Sequence, residues 1–314
     1  MRVKLSAREQ TLFAVGVNLA NDAATAEIAQ AMRAAGVRAI VLKGPAVRSW
    51  LYEGDHSRIS MDIDLLISWV QLDDAERTLA ELGCQYLGID AVGPNRPHCR
   101  VWELPESKMM LELHRRIAGI GASSDLAWKI LSSDTERMEV GGTEIEVLSA
   151  PARALHIALH AAQHGAKFER TKTDLVLALE RVPRATWLDA AQLAKSLEAL
   201  PAFVAGLRLA PEGQRFLDDL ALSADAPSEI ALRASSPPPM AEGLDWMGHL
   251  SVRQKAAFLL RHLVPPAGYM RIWSPLARRS RPGLAVAYLW RPLWLVSHLP
   301  AAIVARRSTR TRVK

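Results

Sequence analysis

The sequence predicts an α+β protein in two parts: strands and helices mixed over residues 1–150, then helices alone over 151–314. Three observations predict it. Two apolar runs rich in branched residues, VRAIVL (37–42) and SMDIDLLI (60–67), read as buried strands. Two further strand pairs fall before residue 150. From Pro151 onward no strand pattern is left, only segments of helical length.

Taken in order, residues 6–35 read as two helices. Ser6 caps the first, and Leu12, Val15, Val17 and Leu19 supply its apolar face. The second runs from about Ala24 to Ala35, with Gly36 closing it. The first strand ends in Lys43-Gly44-Pro45, and AVRSWLY then makes a short helix with proline at its start. EGDHSR (53–58) is a polar turn before the second strand. A helix over 71–83 stops at Gly83. CRVWEL (99–104) and KMMLELHRR (108–116) form an antiparallel pair turning near Pro105. After a helix over 124–132, RMEVGGTEIEVL (137–148) is a hairpin around Gly141-Gly142.

Helices are then expected over 151–165, 172–181, 187–199, 202–209, 211–222 and 251–263, with SSPPPM (235–240) as a linker or rigid turn. Arg291, Pro292 and His298 interrupt the C-terminal apolar stretch, so it does not read as a membrane span. Trp290 and Trp294 are expected to pack into the helical part; the alternative is an interfacial helix with both rings at lipid headgroups.

The chain has 49% hydrophobic and 23% charged residues, which excludes a disordered or collagen-like protein. Two cysteines make neither a disulfide framework nor a four-thiolate zinc site. The opening MRVKLSAREQTLF lacks the apolar core of a signal peptide, and the expected compartment is a reducing cytoplasm. The net charge of +6 conceals an asymmetry. Residues 246–314 hold 13 Lys/Arg and no Asp or Glu, leaving residues 1–245 at −7. Such a basic end suits a polyanion or an anionic membrane surface, or is a solvated face.

The chemistry begins at Asp62-Ile63-Asp64. Residues i and i+2 of a strand share a face, and two neighbouring carboxylates in an apolar strand call for a neutralising charge. A divalent cation with oxygen ligands, Mg²⁺ above all, is the natural one. An amide at position 64 should then relieve repulsion and leave the fold intact or more stable. An EF-hand is excluded, because its glycine is missing. Lys43 and Gly44, at a strand-to-helix turn, can cradle anionic oxygens, with Arg58 as a second phosphate ligand. Glu112-Leu113-His114 repeats the i, i+2 pattern: Glu112 offers a third carboxylate, and His114 a phosphate or acceptor contact. His156, His160 and His164 recur every four residues. His160 is expected to line a cleft against the nucleotide, with Lys167, Arg170 and Lys172 nearby. There is no G-x-S-x-G elbow, Walker A loop or H-E-x-x-H helix.

LKGPAV, LY, R and MDIDLLI followed by LELH resemble the nucleotidyltransferase superfamily with the polymerase-β-type palm. More narrowly, they are similar to the group of uncharacterised nucleotidyltransferases. The likeness extends to the HxxxHxxxH helix and to RHLVPPAGYM and AYLWRP. It implies a mixed-sheet palm with flanking helices, followed by an all-helical C-terminal domain. It implies two Mg²⁺ ions held by Asp62, Asp64 and Glu112, and transfer of a nucleoside monophosphate from an NTP such as ATP with release of pyrophosphate. The acceptor it implies is a small metabolite, a peptide natural product or an RNA end. Two alternatives are a nucleotide-binding regulatory module without turnover and an RNA-directed toxin using the basic C-terminus. Departures from the pattern are Pro45 after Gly44, a longer gap from Gly44 to Asp62, and Arg115 where tryptophan is usual.

Overall fold

Helix α1 (Ala7–Ala34) opens the chain as one helix of 28 residues where the sequence predicts two. In this computed structural model, which describes residues 6–53, 57–88, 98–248 and 250–312, Ser6 and Glu9 form a capping box at its start. The polar stretch NLANDAAT reads as a break, but it is a buried polar contact. Asn18 Nδ2 donates to the Arg58 carbonyl (3.1 Å), and its Oδ1 accepts from the Ser60 N–H (3.1 Å). Asn21 Nδ2 donates to the Asp62 carbonyl (3.0 Å), and Asp22 pairs with Arg48 (2.5 Å). These bonds satisfy groups that would otherwise end the helix.

The strands of the sheet lie close to the segments read from the sequence. They are β1 (Ala39–Val41), β2 (Asp62–Ile67), β3 (Gln85–Tyr86), β4 (Cys99–Glu103), β5 (Met110–His114), β6 (Thr135–Val140) and β7 (Thr143–Leu148). They lie in the order β3-β4-β5-β2-β1-β7-β6. The β2–β5 and β1–β7 pairs are parallel, and the others antiparallel. β1 is shorter than the predicted run, and the two-residue β3 has no sequence signal. Helices α2 (Pro45–Leu51), α3 (Leu72–Glu81) and α4 (Ser124–Leu131) complete this part. The middle of the predicted EGDHSR turn, residues 54–56, lies outside the described residues, as do residues 1–5 of the opening MRVKLSAREQTLF.

Strand alternation sorts the core into two layers. Ile63, Leu65 and Ile67 of β2, with Leu111 and Leu113 of β5, pack with Ile28 and Met32 of α1 and Leu79 of α3. The other face carries Asp62, Asp64, Glu112 and His114, and there Ile40, Leu42, Leu66 and Leu148 join the apolar cluster of the helices that follow. Those are α5 (Ala150–His164), α6 (Glu169–Arg181), α7 (Arg184–Ser196), α8 (Leu200–Leu207) and α9 (Pro211–Asp219). α5 and α8 approach so closely that a Cβ on Gly206 would sit 1.9 Å from the Ala158 carbonyl oxygen.

The remaining helices are α10 (Ser228–Ala234), α11 (Ala241–Met247), α12 (Val252–Leu263), α13 (Ala267–Trp273), α14 (Pro275–Arg279) and α15 (Arg281–Arg312). Only α12 of these is predicted as a helix. α15 runs unbroken through Pro292 and Pro300. Trp294 packs edge-on against Trp273, whereas Trp290 is exposed. No helix among the described residues is long and apolar enough to cross a membrane.

Candidate active site

Parallel pairing of β2 with β5 sets Asp64 directly opposite Glu112 and Leu66 opposite His114. The carboxylates and the imidazole therefore rise from neighbouring strands onto one face. Asp64 is buried, whereas Asp62 and Glu112 are half-buried and line a cleft of about 340 Å³ between the sheet and α5.

Two cations meet Asp64. Lys43 Nζ, at the end of β1, lies 2.8 Å from Oδ1, and His114 Nε2 lies 2.9 Å from the same atom. His114 Nε2 is also 3.1 Å from Glu112 Oε2. Burial alone would push the Asp64 carboxyl up, but Lys43 and His114 outweigh it and hold it well below the usual range. Burial likewise opposes charge on His114, yet its bonds to Asp64 and Glu112 raise it to about 9, so the ring is an imidazolium at neutral pH. Asp62 behaves differently: burial, then the negative charge of Asp64, pushes its carboxyl up.

Gly44 turns the chain at φ 63° and ψ −120°, leading into α2, and a Cβ there would stand 3.2 Å from Asn21 Oδ1. The Ala46 N–H is turned back onto the Lys43 carbonyl (3.3 Å), and Pro45 has none to offer. Lys43 therefore brings its charge to the carboxylates, and its ammonium is not aimed at an open phosphate cradle. Arg58 borders the cleft, but its guanidinium is held by Asp174: Nε to Oδ1 at 2.9 Å, and NH2 to Oδ2 at 3.0 Å. Tyr52 donates to the same carboxylate (2.7 Å).

His156, His160 and His164 line the opposite wall on α5, with successive ring centroids 5.9 and 4.5 Å apart. Burial keeps them neutral, the positive charge of Lys43 adding to the effect; His156 is held down to about 3. Phe168 and Arg170 stand at the rim, while Lys167 and Lys172 do not line the cleft.

Among the described residues, two groups of metal-ligating atoms lie within 4.8 Å of one another: Asp64, Glu112 and His114, and His98, Cys99 and His114. The first is hard and anionic. Asp64 Oδ2 is buried with no hydrogen-bond partner, a lone oxygen that suits a divalent cation. The oxygen donors Asp64 and Glu112, with His114 beside them, therefore fit a hard divalent cation, while Asp62 belongs to neither group. In the second group, Cys99 faces His114 across the β4–β5 pair. Burial and the neighbouring Glu112 push the Cys99 thiol up, away from the thiolate form.

Sequence reasoning missed Asn18, Asn21, Tyr52 and Asp174, which position the site. The available signal for Asp174 is a single acid before the apolar run of TDLVLAL, and for the asparagines their spacing on one face of α1.

The family described as uncharacterised nucleotidyltransferase matches residues 1–213. Among solved structures, the chain is similar to the antibiotic-resistance factor ANT(2'')-Ia, at 13% identity over 59% of this chain and 95% of that one, with a TM-score of 0.39. It is similar to an antigenic nucleotidyltransferase-like protein from Paracoccidioides brasiliensis, at 13% identity over 63% and 95%, with a TM-score of 0.32. A tRNA-processing enzyme aligns at 15% identity over 86% and 82%, with a TM-score of 0.23. No curated protein matches the chain.

Proposed function

The chain belongs to the uncharacterised nucleotidyltransferase family, and on that premise we propose that it moves a nucleoside monophosphate from an NTP to a hydroxyl or phosphate acceptor. The observation that carries this reading is the convergence of Asp64 and Glu112 across β2 and β5, with Asp62 two residues before Asp64 on the same strand and Asp64 Oδ2 unpartnered. Asp62, Asp64 and Glu112 would hold two Mg²⁺ ions, which when bound neutralise triphosphate charge and acidify the attacking hydroxyl. The acceptor oxygen attacks the α-phosphorus, the bond from that phosphorus to the bridging oxygen breaks, and pyrophosphate leaves. Glu112 takes the hydroxyl proton. Lys43 keeps its charge against the acids throughout, and His114 and His160 border the space for the phosphates and base.

Arg58 contributes by fixing the segment before β2 to α6, and Gly44 by letting that turn pass close to α1. The acceptor we carry forward is a small metabolite or a peptide hydroxyl, ATP the first donor to test, and the compartment a reducing cytoplasm. The residues 1–150 and 151–314 are read as a palm-like domain and a helical domain that close the cleft from two sides.

One observation favours a second reading, a nucleotide-binding module without turnover. Lys43 and His114 already neutralise Asp64 and Glu112, and Pro45 removes a backbone donor. Calorimetric titration with each NTP and Mg²⁺, run beside pyrophosphate release over a panel of acceptors, separates the two. Release that disappears in Asp62→Asn supports transfer. Tight binding with no release over the whole panel supports the module.

A further inference from the structure

The C-terminal helices expose far more apolar surface than the rest of the chain. Fourteen of the twenty-two large hydrophobic side chains exposed among the described residues lie between 252 and 304, although this stretch is under a fifth of the sequence. The family match ends at residue 213, so this surface lies outside it.

On α15 the exposed residues Val286, Leu289, Trp290, Leu293, Val296 and Val304 recur at helical spacing. At about 100° per residue they fall within an arc of about 120°. The opposite side of the helix fixes this stripe outward. Arg291 is buried there, its Nε donating to the His262 carbonyl (2.6 Å) and its guanidinium lying 5.0 and 4.9 Å from the Tyr269 and Trp273 rings. Met270, Ala277 and Ala287 pack beside it. The stripe also continues sideways: exposed Leu259 and Leu263 of α12 line the same apolar groove as Val296, a groove of about 510 Å³. Monomeric soluble proteins seldom leave so continuous an apolar face uncovered.

Charge decides what covers it. No acidic residue follows Asp245, and Arg278, Arg279, Arg281 and Arg307 stand exposed at the two ends of the stripe. A two-fold dimer through this face would set arginines against arginines, and the one acid lining the groove, Glu242, is already paired with Arg233. RNA would answer the arginines but not the leucines. An anionic bilayer answers both: headgroups take the arginines, the apolar stripe enters the interfacial zone, and Trp290 sits at the boundary. The helix is too interrupted by Arg291 and His298 to span, so it lies in the plane of the surface.

We propose that the C-terminal helices, led by the Val286–Val304 stripe of α15, dock this protein on an anionic lipid surface. The inference does not depend on which acceptor the active site uses. The test is flotation of the full chain with vesicles of phosphatidylcholine alone or doped with phosphatidylglycerol. The expected result is recovery with the anionic vesicles, about tenfold above neutral ones, falling as salt is raised. The double variant Leu289→Glu, Leu293→Glu alters two exposed side chains. It should lose flotation while keeping the wild-type melting temperature and nucleotide binding. Equal recovery on neutral vesicles would overturn the proposal, as would unchanged flotation of the double variant. So would a wild-type dimer, seen by light scattering, that the double variant splits while vesicles bind neither form.

Discussion

Asp64 and Glu112 face each other across the parallel β2–β5 pair, and a single nitrogen, His114 Nε2, lies 2.9 Å from the first and 3.1 Å from the second. With Lys43 on the same Asp64 oxygen, the acids of the site are met by two cations before any metal arrives. This reverses an expectation drawn from the acidic residues alone, that an amide at 64 relieves repulsion. In Asp64→Asn, half-buried Lys43 and buried His114 lose the anion that holds them. The metal-free variant should be about 3 kcal/mol less stable in chelator, read by urea denaturation. Pyrophosphate release should fall by at least about 10³-fold. A variant as stable as wild type would show that the cations do not depend on Asp64.

The Arg58–Asp174 pair joins the segment before β2 to α6 in a buried setting, with Tyr52 as a third member. Removing one partner strands the other. Asp174→Leu should cost about 3–5 kcal/mol, and Arg58→Met a similar amount. The double variant should cost clearly less than the sum, because no charge is then left uncompensated. A double-mutant cycle by chemical denaturation measures the coupling. Additive losses would mean that the two charges do not interact.

The sheet was legible because its strands carry strong periodic signals: β2 and β5 present apolar residues inward at every second position and acids on the other face. That alternation sets the acids on one face of each strand, but the meeting of Asp64 with Glu112 was implied by the family resemblance, because no local signal pairs β2 with β5. What stayed hidden depends on long-range polar bonds, which leave no period. Asn18 and Asn21 read as a helix break because their partners, Arg58 and Asp62, are about forty residues away. Arg58 reads as a phosphate ligand because Asp174, which holds it, is more than a hundred residues further on. The short helices α10, α11, α13 and α14 have too few turns to establish a pattern.

Gly44 holds the turn between β1 and α2 at a backbone conformation that side chains rarely adopt, with Asn21 Oδ1 3.2 Å from where a Cβ would stand. Gly44→Ala should therefore destabilise by about 1–3 kcal/mol and push α1 away from the β2 entry. Because Asn21 also bonds the Asp62 carbonyl, the displacement should reach the site. The expected signature is weaker Mg²⁺-dependent stabilisation in thermal melts, beyond what the lower baseline stability accounts for. Gly36→Ala, at a positive-φ glycine with open space for a Cβ, is the control for backbone strain alone.

His156 gives the protein an acid-sensitive core. It is buried on α5, and burial, with Lys43 and His114 adding positive charge against a smaller pull from Asp64, holds its imidazole down to about 3 from a usual value of 6.5. Over that interval the unfolded chain binds a proton that the folded chain refuses. Stability from this group is fully present above pH 6.5, declines as pH falls below it, and levels off only near pH 3, where the folded ring also protonates. Denaturation midpoints in chelator, measured between about pH 4 and pH 8, should therefore fall toward acid. His156→Gln removes the titration but not the packing. It should lower stability at neutral pH and make the acid slope shallower by close to one proton. An unchanged slope in that variant would place the acid sensitivity elsewhere, with half-buried His160 and its similarly depressed imidazole the next residue to substitute.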